Sequence, residues 1–460
     1  MTSTLIDNAK FSRFHLRLTL ATFGGIFLDG YIMSALAIAL PGVEESFDVS
    51  PSTLGVLGST IATGLLFGAV IVGRLSDRIG RQLLFMLHFL VIIVASIGAA
   101  FSTSTTLLAV LLIVSGITIG ADYSLSPALL VEWLPRKSRG RILTLLGFMW
   151  FVGASAAYAI GYALVTTQGA DAWRLMLGST AVFAFLFALG RIGLPESPRW
   201  LVNKGQLEKA RGVLARVYRV NVTDEMLRAL NEGKANTGRN LATLWTPRYR
   251  RRLIFCVLFW TFSIVPLNII YVYSPLILEA FNMSGGGVAI LGALVISLVS
   301  GIGIIPALLF VEKIGRRPLI VGSFGLMTVP LVILGVMPHG SIALVIVAFC
   351  AYALFTGGPS FLQALYPSEL FATELRGTAL GITVSASRAV AVIMLLLTPI
   401  ALNSIGTGPV MLIAAAFSLA GFVSCLVLAP ETRGLALADA SNATHESPER
   451  NTDDDRSLQS

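Results

Sequence analysis

The stretch Gly73-Arg-Leu-Ser-Asp-Arg-Ile-Gly-Arg81 separates two apolar runs that are each long enough to cross a bilayer, and it places charge where hydrophobicity has just ended. A shortened copy, Val311-Glu-Lys-Ile-Gly-Arg-Arg317, follows a later apolar run, and superposing Gly80 on Gly315 sets an offset of 235 residues. Other landmarks return near that offset. Glu132, Arg139 and Gly140 recur as Glu369, Arg376 and Gly377, and Pro195-Glu196-Ser197 recurs as Pro430-Glu431-Thr432. Self-similarity at matched spacing marks an internal duplication, so the chain reads as two related halves in tandem.

Of 460 residues, 55% are hydrophobic and 13% charged. With a mean hydropathy of +0.80, this is too apolar for an ordinary soluble domain. Twelve apolar runs of spanning length are expected near residues 16–40, 54–73, 82–101, 106–131, 141–165, 173–193, 252–278, 287–311, 318–337, 341–366, 377–400 and 408–429. The expected fold is an all-α membrane protein with twelve transmembrane helices in two pseudo-symmetric six-helix halves. Its parts are a cytoplasmic N-terminal tail (1–15), a first half (16–193), a linker (194–251), a second half (252–429) and a mostly disordered polar tail (430–460). Within the linker, Leu207, Ala210, Val213, Leu214 and Val217 recur at helical spacing and predict a short amphipathic helix.

The net charge of +8 raises the question of nucleic acid, and the distribution of that charge answers it. Of 33 Lys and Arg residues, only Arg174 falls in a loop opposite the chain ends, and only Arg388 falls inside a span. The positive-inside rule then places both termini in the cytoplasm of a multi-pass plasma (inner) membrane protein, with no basic surface left for nucleic acid. The first apolar run is long enough to remain as a span, so no cleavable signal is expected. Cys256, Cys350 and Cys425 fall in or beside spans without ligand-like spacing, which argues against a disulfide framework or a metal site.

Ionisable residues inside the spans are the candidates for chemistry. Asp29, in Phe27-Leu-Asp-Gly-Tyr31, lies about 18 Å from either end of the first span. Asp122 lies about 15 Å above Glu132 in the fourth. Two midplane carboxylates suit a proton relay, although each could instead hydrogen-bond a neighbouring helix. Gly116 and Gly120, just before Asp122, form a face that admits a close helix. His88, near the basic end of the third span, reads as packing or as a satisfied side chain. Arg388 lies about 18 Å into the eleventh span. Its guanidinium cannot be neutralised and needs an anionic partner, which is Asp29, Asp122 or a substrate carboxylate. In the seventh span Pro266 and Pro275 predict interruptions, and Asn268 and Tyr271 share one face there. Gly357-Gly358-Pro359 followed by Gln363 gives the tenth span a similar look. Tyr31, Tyr123 and Tyr273 complete the candidate substrate set.

At the basic end, Asp77 could accept from the free N–H groups that open a neighbouring helix. Asp77, Arg78 and Arg81 with Glu132 and Arg139, and Glu312 and Arg316 with Glu369 and Arg376, are expected to form a charged latch that holds the halves together. No metal set, nucleophile–base pair or phosphate loop is apparent, which argues against an enzyme.

Together the motifs resemble the major facilitator superfamily across nearly the whole chain. GRLSDRIGR and its weaker copy are similar to that family's cytoplasmic signature. PESPRWL after the sixth span and PETRG after the twelfth resemble those of its sugar-porter branch. In sugar porters the seventh helix usually has paired Gln residues before Gly-Ile-Asn. Here Asn268, Tyr273 and Pro275 fit, while Phe262-Ser263 stand at the Gln positions and Pro266 replaces the Gly. GADYSLS around Asp122 is similar to the GGDYPLS of phosphate:proton symporters, which also use an acid in helix seven, where this chain has none before Glu279.

FLDGY, and YPSELFATELRGTALG followed by Arg388, are similar to aromatic-acid and niacin-type metabolite:proton symporters and to organic-anion transporters. Ile32 and Leu112 stand where aromatic-acid symporters carry a second Asp and an Arg. The resemblance implies a monomeric secondary transporter without a cofactor, working by proton symport of a small organic anion. Asp29 and Asp122 would be its proton sites. Alternatives are a sugar or polyol porter, a phosphate:proton porter, a drug exporter, or a non-transporting nutrient sensor.

Overall fold

The computed structural model describes residues 6, 8–224, 226–227, 241–281, 283, 287–371 and 373–432. Twelve helices long and apolar enough to span a membrane are found among them. In chain order they are α1 (Arg13–Phe47), α2 (Pro51–Ile79), α3 (Arg81–Ala100), α4 (Thr105–Trp133), α5 (Arg136–Gln168), α6 (Ala172–Arg191), α7 (Pro247–Val272), α8 (Val288–Ile314), α9 (Arg316–Val336), α10 (Ile342–Leu370), α11 (Thr373–Ile405) and α12 (Thr407–Leu428). Every expected span is a helix, and the amphipathic linker segment forms one at Leu207–Tyr218. The expected interruption of the seventh helix occurs once. Pro266 sits within α7, whereas the chain breaks at Tyr273 and continues as Ser274–Ala280 with Pro275 in the first turn, where its missing N–H costs no hydrogen bond.

The duplication is visible in packing. In the first half α1 lies against α5, α2 against α4, and α3 against α6; in the second α7 lies against α11, α8 against α10, and α9 against α12. The halves meet along α2 with α11 and α5 with α8. Small residues permit the tightest contacts. A Cβ on Gly116 would meet the Ile61 carbonyl oxygen at 2.3 Å, as expected of that glycine's face, and one on Gly357 would meet the Gly303 carbonyl carbon at 2.1 Å.

The repeated motifs build the same corner twice. Gly80 and Gly315 take φ values of 103° and 102°, conformations open to glycine, and so turn the chain directly into α3 and α9. The free N–H groups of those helix starts are met by glutamate: Glu196 accepts from Arg81 at 3.2 Å and Gln82 at 3.0 Å, and Glu431 accepts from Arg316 at 3.0 Å and Arg317 at 3.1 Å. Glu196 of the PES segment and Glu431 of the PET segment thus cap α3 and α9. Arg81 pairs with Glu132, which also accepts from Ser197. Arg316 pairs with Glu369 at 3.0 Å and Glu312 at 2.8 Å, and Thr432 donates to Glu369 at 2.6 Å.

Of the residues expected in the latch, those that the structure describes pair within one half. Among the described residues, Arg81 and Glu132 pair inside the first half, and Glu312, Arg316 and Glu369 inside the second, because each glutamate lies on a helix that packs beside its own arginine. The side chains of Asp77, Arg78, Arg139 and Arg376 lie outside the described residues. The side-chain contacts between the halves found among the described residues sit at mid-depth and toward the opposite end. Tyr158 donates to the Tyr271 carbonyl at 3.0 Å and bonds Ser274 Oγ at 2.7 Å, Ser155 donates to Ser297 at 3.0 Å, and a Cβ on Gly58 would strike the Tyr273 hydroxyl at 2.0 Å.

Gly357→Val should push α8 from α10 and cost about 3 kcal/mol, the upper range for overpacking, read as a lower apparent melting temperature in detergent. Gly381, whose Cβ would meet nothing within 4 Å, provides the control. Gly381→Ala should be neutral or stabilise by up to about 1 kcal/mol.

Candidate translocation site

The charged residues of the spans separate into two groups. In the first, Arg191 at the end of α6 turns inward and is fully buried. Its Nη2 donates to Asp122 Oδ1 of α4 at 3.1 Å, its Nε to the Ala21 carbonyl of α1 at 3.2 Å, and its Nη1 to the Phe85 carbonyl of α3. The guanidinium carbon lies 3.2 Å from the ring centre of Phe85 and 3.8 Å from that of Phe89, so the cation is also held between aromatic faces. Arg191 Nη1 lies 2.8 Å from His88 Nδ1, which must accept, and this places the histidine proton on Nε2. Ser126 donates to the other Asp122 oxygen at 2.9 Å.

This group changes three sequence readings. Asp122 spends its charge on Arg191 within the first half. His88, expected as packing or a satisfied side chain, is bonded at Nδ1 while its buried Nε2 has no partner, and it lies in the same layer as Asp122, 3.7 Å from it. Depth counted separately along each helix had set them apart, because the count omits how far neighbouring helices are offset. Arg191, not singled out from the sequence, joins the buried charges. The available signal was that a buried aspartate needs a cation, and an arginine at a helix end can extend its long stem inward.

The second group bridges the halves. Asp29, buried near the middle of α1, accepts from the Tyr123 hydroxyl of α4 at 2.5 Å through Oδ2. Arg388, buried near the middle of α11, places its guanidinium carbon 5.8 Å from the Tyr123 ring centre. Asp29 Oδ1 and Arg388 Nε are buried without a hydrogen-bond partner, and no carboxylate of the described residues lies within ion-pair distance of Arg388. The structure therefore brings Asp29, Tyr123 and Arg388 together and leaves Asp122 out.

The remaining candidates divide. Asn268 is buried with Nδ2 unpartnered, one turn from Tyr271, whose hydroxyl donates to Ser300 at 2.8 Å. Trp150 stands edge-on to Tyr271 at 5.1 Å. Gln363 donates to Ser263 at 2.8 Å, tying α10 to α7. Tyr31 and Tyr273 depart from a substrate role. Tyr31 is committed to Ser179 at 2.6 Å and packs tilted against Phe183 in the α1–α6 seam, and Tyr273 donates to the Leu395 carbonyl at 2.7 Å. Both had been counted by depth and residue type, and helical rotation turns their hydroxyls to these neighbours.

Removing one partner of a buried pair leaves an uncompensated charge, at a cost of about 3–5 kcal/mol. Arg191→Ala and Asp122→Ala should each lower stability by that order. The double variant should lose less than the sum, as a double-mutant cycle of melting in detergent would read.

Comparison with known proteins adds identity to this geometry. The family model described as "Sugar (and other) transporter" matches residues 18–443. The metabolite transport protein YaaU of Escherichia coli (strain K12) is 37% identical, covering 95% of this chain and 97% of its own. The glucose transporter GlcP of Staphylococcus epidermidis is 30% identical, covering 91% and 95%. Among solved structures, the xylose transporter XylE from E. coli in a partially occluded inward open conformation is similar with a TM-score of 0.80 at 20% identity, covering 92% of this chain and 100% of that one. The major facilitator superfamily proton:xylose symporter XylE bound to 6-bromo-6-deoxy-D-glucose has a TM-score of 0.72 at 23% identity, covering 93% and 98%. The chain belongs to the sugar (and other) transporter family and is a multi-pass membrane transporter of the major facilitator fold, not an enzyme.

Proposed function

We propose that the protein moves a small organic anion of carboxylate type together with a proton, by alternating access across a plasma membrane with both termini in the cytoplasm. The observation that carries this reading is Arg388: a permanent cation, buried at mid-depth, with Nε unpartnered. Its nearest link to a negative charge runs through Tyr123 to Asp29. A proton arriving on Asp29 removes that charge and leaves Arg388 free to bind a carboxylate with its planar fork. Proton and anion then cross as a neutral set, and their departure restores the attraction between Asp29 and Arg388. Asp122 stays paired with Arg191 in this scheme. Asn268, Tyr271 and Gln363 supply the second half's polar contacts to the solute.

A second reading is a neutral sugar or polyol. It is favoured by relatives such as the glucose transporter GlcP and by neutral donors of the second half, Asn268 Nδ2 and Trp260 Nε1, that are buried without partners. In this reading Arg388 serves as the standing counter-charge of Asp29.

Uptake into proteoliposomes, with carboxylates and sugars offered in parallel under an imposed pH gradient, separates the two. For an anion, Arg388→Ala should weaken apparent affinity at least about 30-fold, since losing one side of a buried charged contact costs 2 kcal/mol or more. Unchanged uptake of a sugar by that variant would establish the second reading. Asp29→Asn should abolish acceleration of uptake by external acid while preserving exchange of solute for solute. Retained acceleration would remove Asp29 from the coupling.

A further inference from the structure

An open apolar groove of about 600 Å³ runs along the outer seam between α7 and α12, lined by Leu258, Phe262, Leu419, Ala420, Val423 and Val427. Leu419, Val423 and Val427 are each at least half exposed, so the groove faces the surroundings of the bundle and not the path between its halves. On α7, Arg251, Leu258 and Phe262 share one face, being seven and four residues apart. From Arg251 to Phe262 that face measures about 16 Å. This matches one leaflet, about half of a 30 Å hydrocarbon core.

The basic end of the groove carries two guanidinium groups. Arg317 Nη2 donates to the Leu426 carbonyl at 2.9 Å, and Arg251 Nη2 lies 3.5 Å from the Val427 carbonyl, so both stand at the last turn of α12 where the lining begins. Both residues are exposed, and neither has a carboxylate of the described residues within ion-pair distance. Glu431, the acid beside them, directs its oxygens to the backbone N–H groups of Arg316, Arg317 and Thr432. Each guanidinium has five N–H donors, most of them unspent here. A long apolar channel of leaflet depth thus opens under two uncompensated cations at the headgroup level.

We propose that this groove binds one anionic phospholipid from the leaflet at the basic end, with an acyl chain along Phe262, Ala420 and Val423 and the phosphate under Arg251 and Arg317. The paired cations favour a net negative headgroup over a zwitterion, and the continuous apolar channel favours a lipid over a free phosphate. The site is separate from the Asp29–Tyr123–Arg388 group and does not depend on which solute is carried.

The test is native mass spectrometry of the purified full-length protein in detergent, titrated with dioleoyl phosphatidylglycerol or dioleoyl phosphatidylcholine. The wild type should retain one phosphatidylglycerol, in clear preference to phosphatidylcholine. R251Q/R317Q should retain at least about fivefold less, at roughly 1 kcal/mol for each cation near the surface. R251K/R317K should keep most of it. Ala420→Phe, which fills the groove and leaves both guanidiniums in place, should lose the adduct as well. It decides the matter alone if the double glutamine variant does not elute as a single species. Equal retention by Ala420→Phe, equal binding of the two lipids, or displacement by excess inorganic phosphate would each overturn the proposal.

Discussion

A charge inside a hydrocarbon layer has to be met by another charge or by directed polar groups, and the arrangement of this molecule follows from how each buried charge is met. Arg191 is the most completely answered. It gathers a carboxylate from α4 and backbone carbonyls from α1 and α3 onto a side chain of α6, between two phenylalanine rings. Four helices of the first half are thereby fixed around one cation. Arg388 is the least completely answered, and it stands where the halves face each other. That contrast assigns one buried ion pair to architecture and leaves the other charged group available for work.

The duplication gives each half its own rigid corner at the basic end. A glycine with positive φ turns the chain, a glutamate from the segment after the sixth helix of that half caps the next helix, and an arginine pairs with a second glutamate. Because these bonds close within a half, they do not resist movement of one half against the other. Among the described residues, bonds that would resist it are the Tyr158 contacts to Tyr271 and Ser274 and the Ser155–Ser297 contact. Two internally stapled bodies suit rigid-body rocking about a central site.

Much of this was legible before any coordinates. Span number, span identity, the repeat and the amphipathic linker helix follow from hydrophobicity and spacing, because in lipid the helix is the simplest way for an isolated segment to satisfy its own backbone. Depth was legible as well for Asp29 and Arg388, each far from both ends of a long apolar run. Lateral neighbours were not. Arg191 was not singled out, His88 looked shallow because it stands near the basic end of its span, and Tyr31 looked like a site residue by depth and residue type.

The sequence by itself determined a two-fold repeated twelve-helix membrane protein and named the residues whose charge needs an explanation. Both are properties of single segments, fixed by the cost of placing backbone and charge in hydrocarbon. The tertiary structure alone decided which charges answer one another: Asp122 with Arg191, Glu132 with Arg81, and Asp29 with Tyr123 beside Arg388. That choice depends on the rotation and offset of helices packed side by side, quantities set by close contacts such as those at Gly116 and Gly357 and carried by no one stretch of sequence.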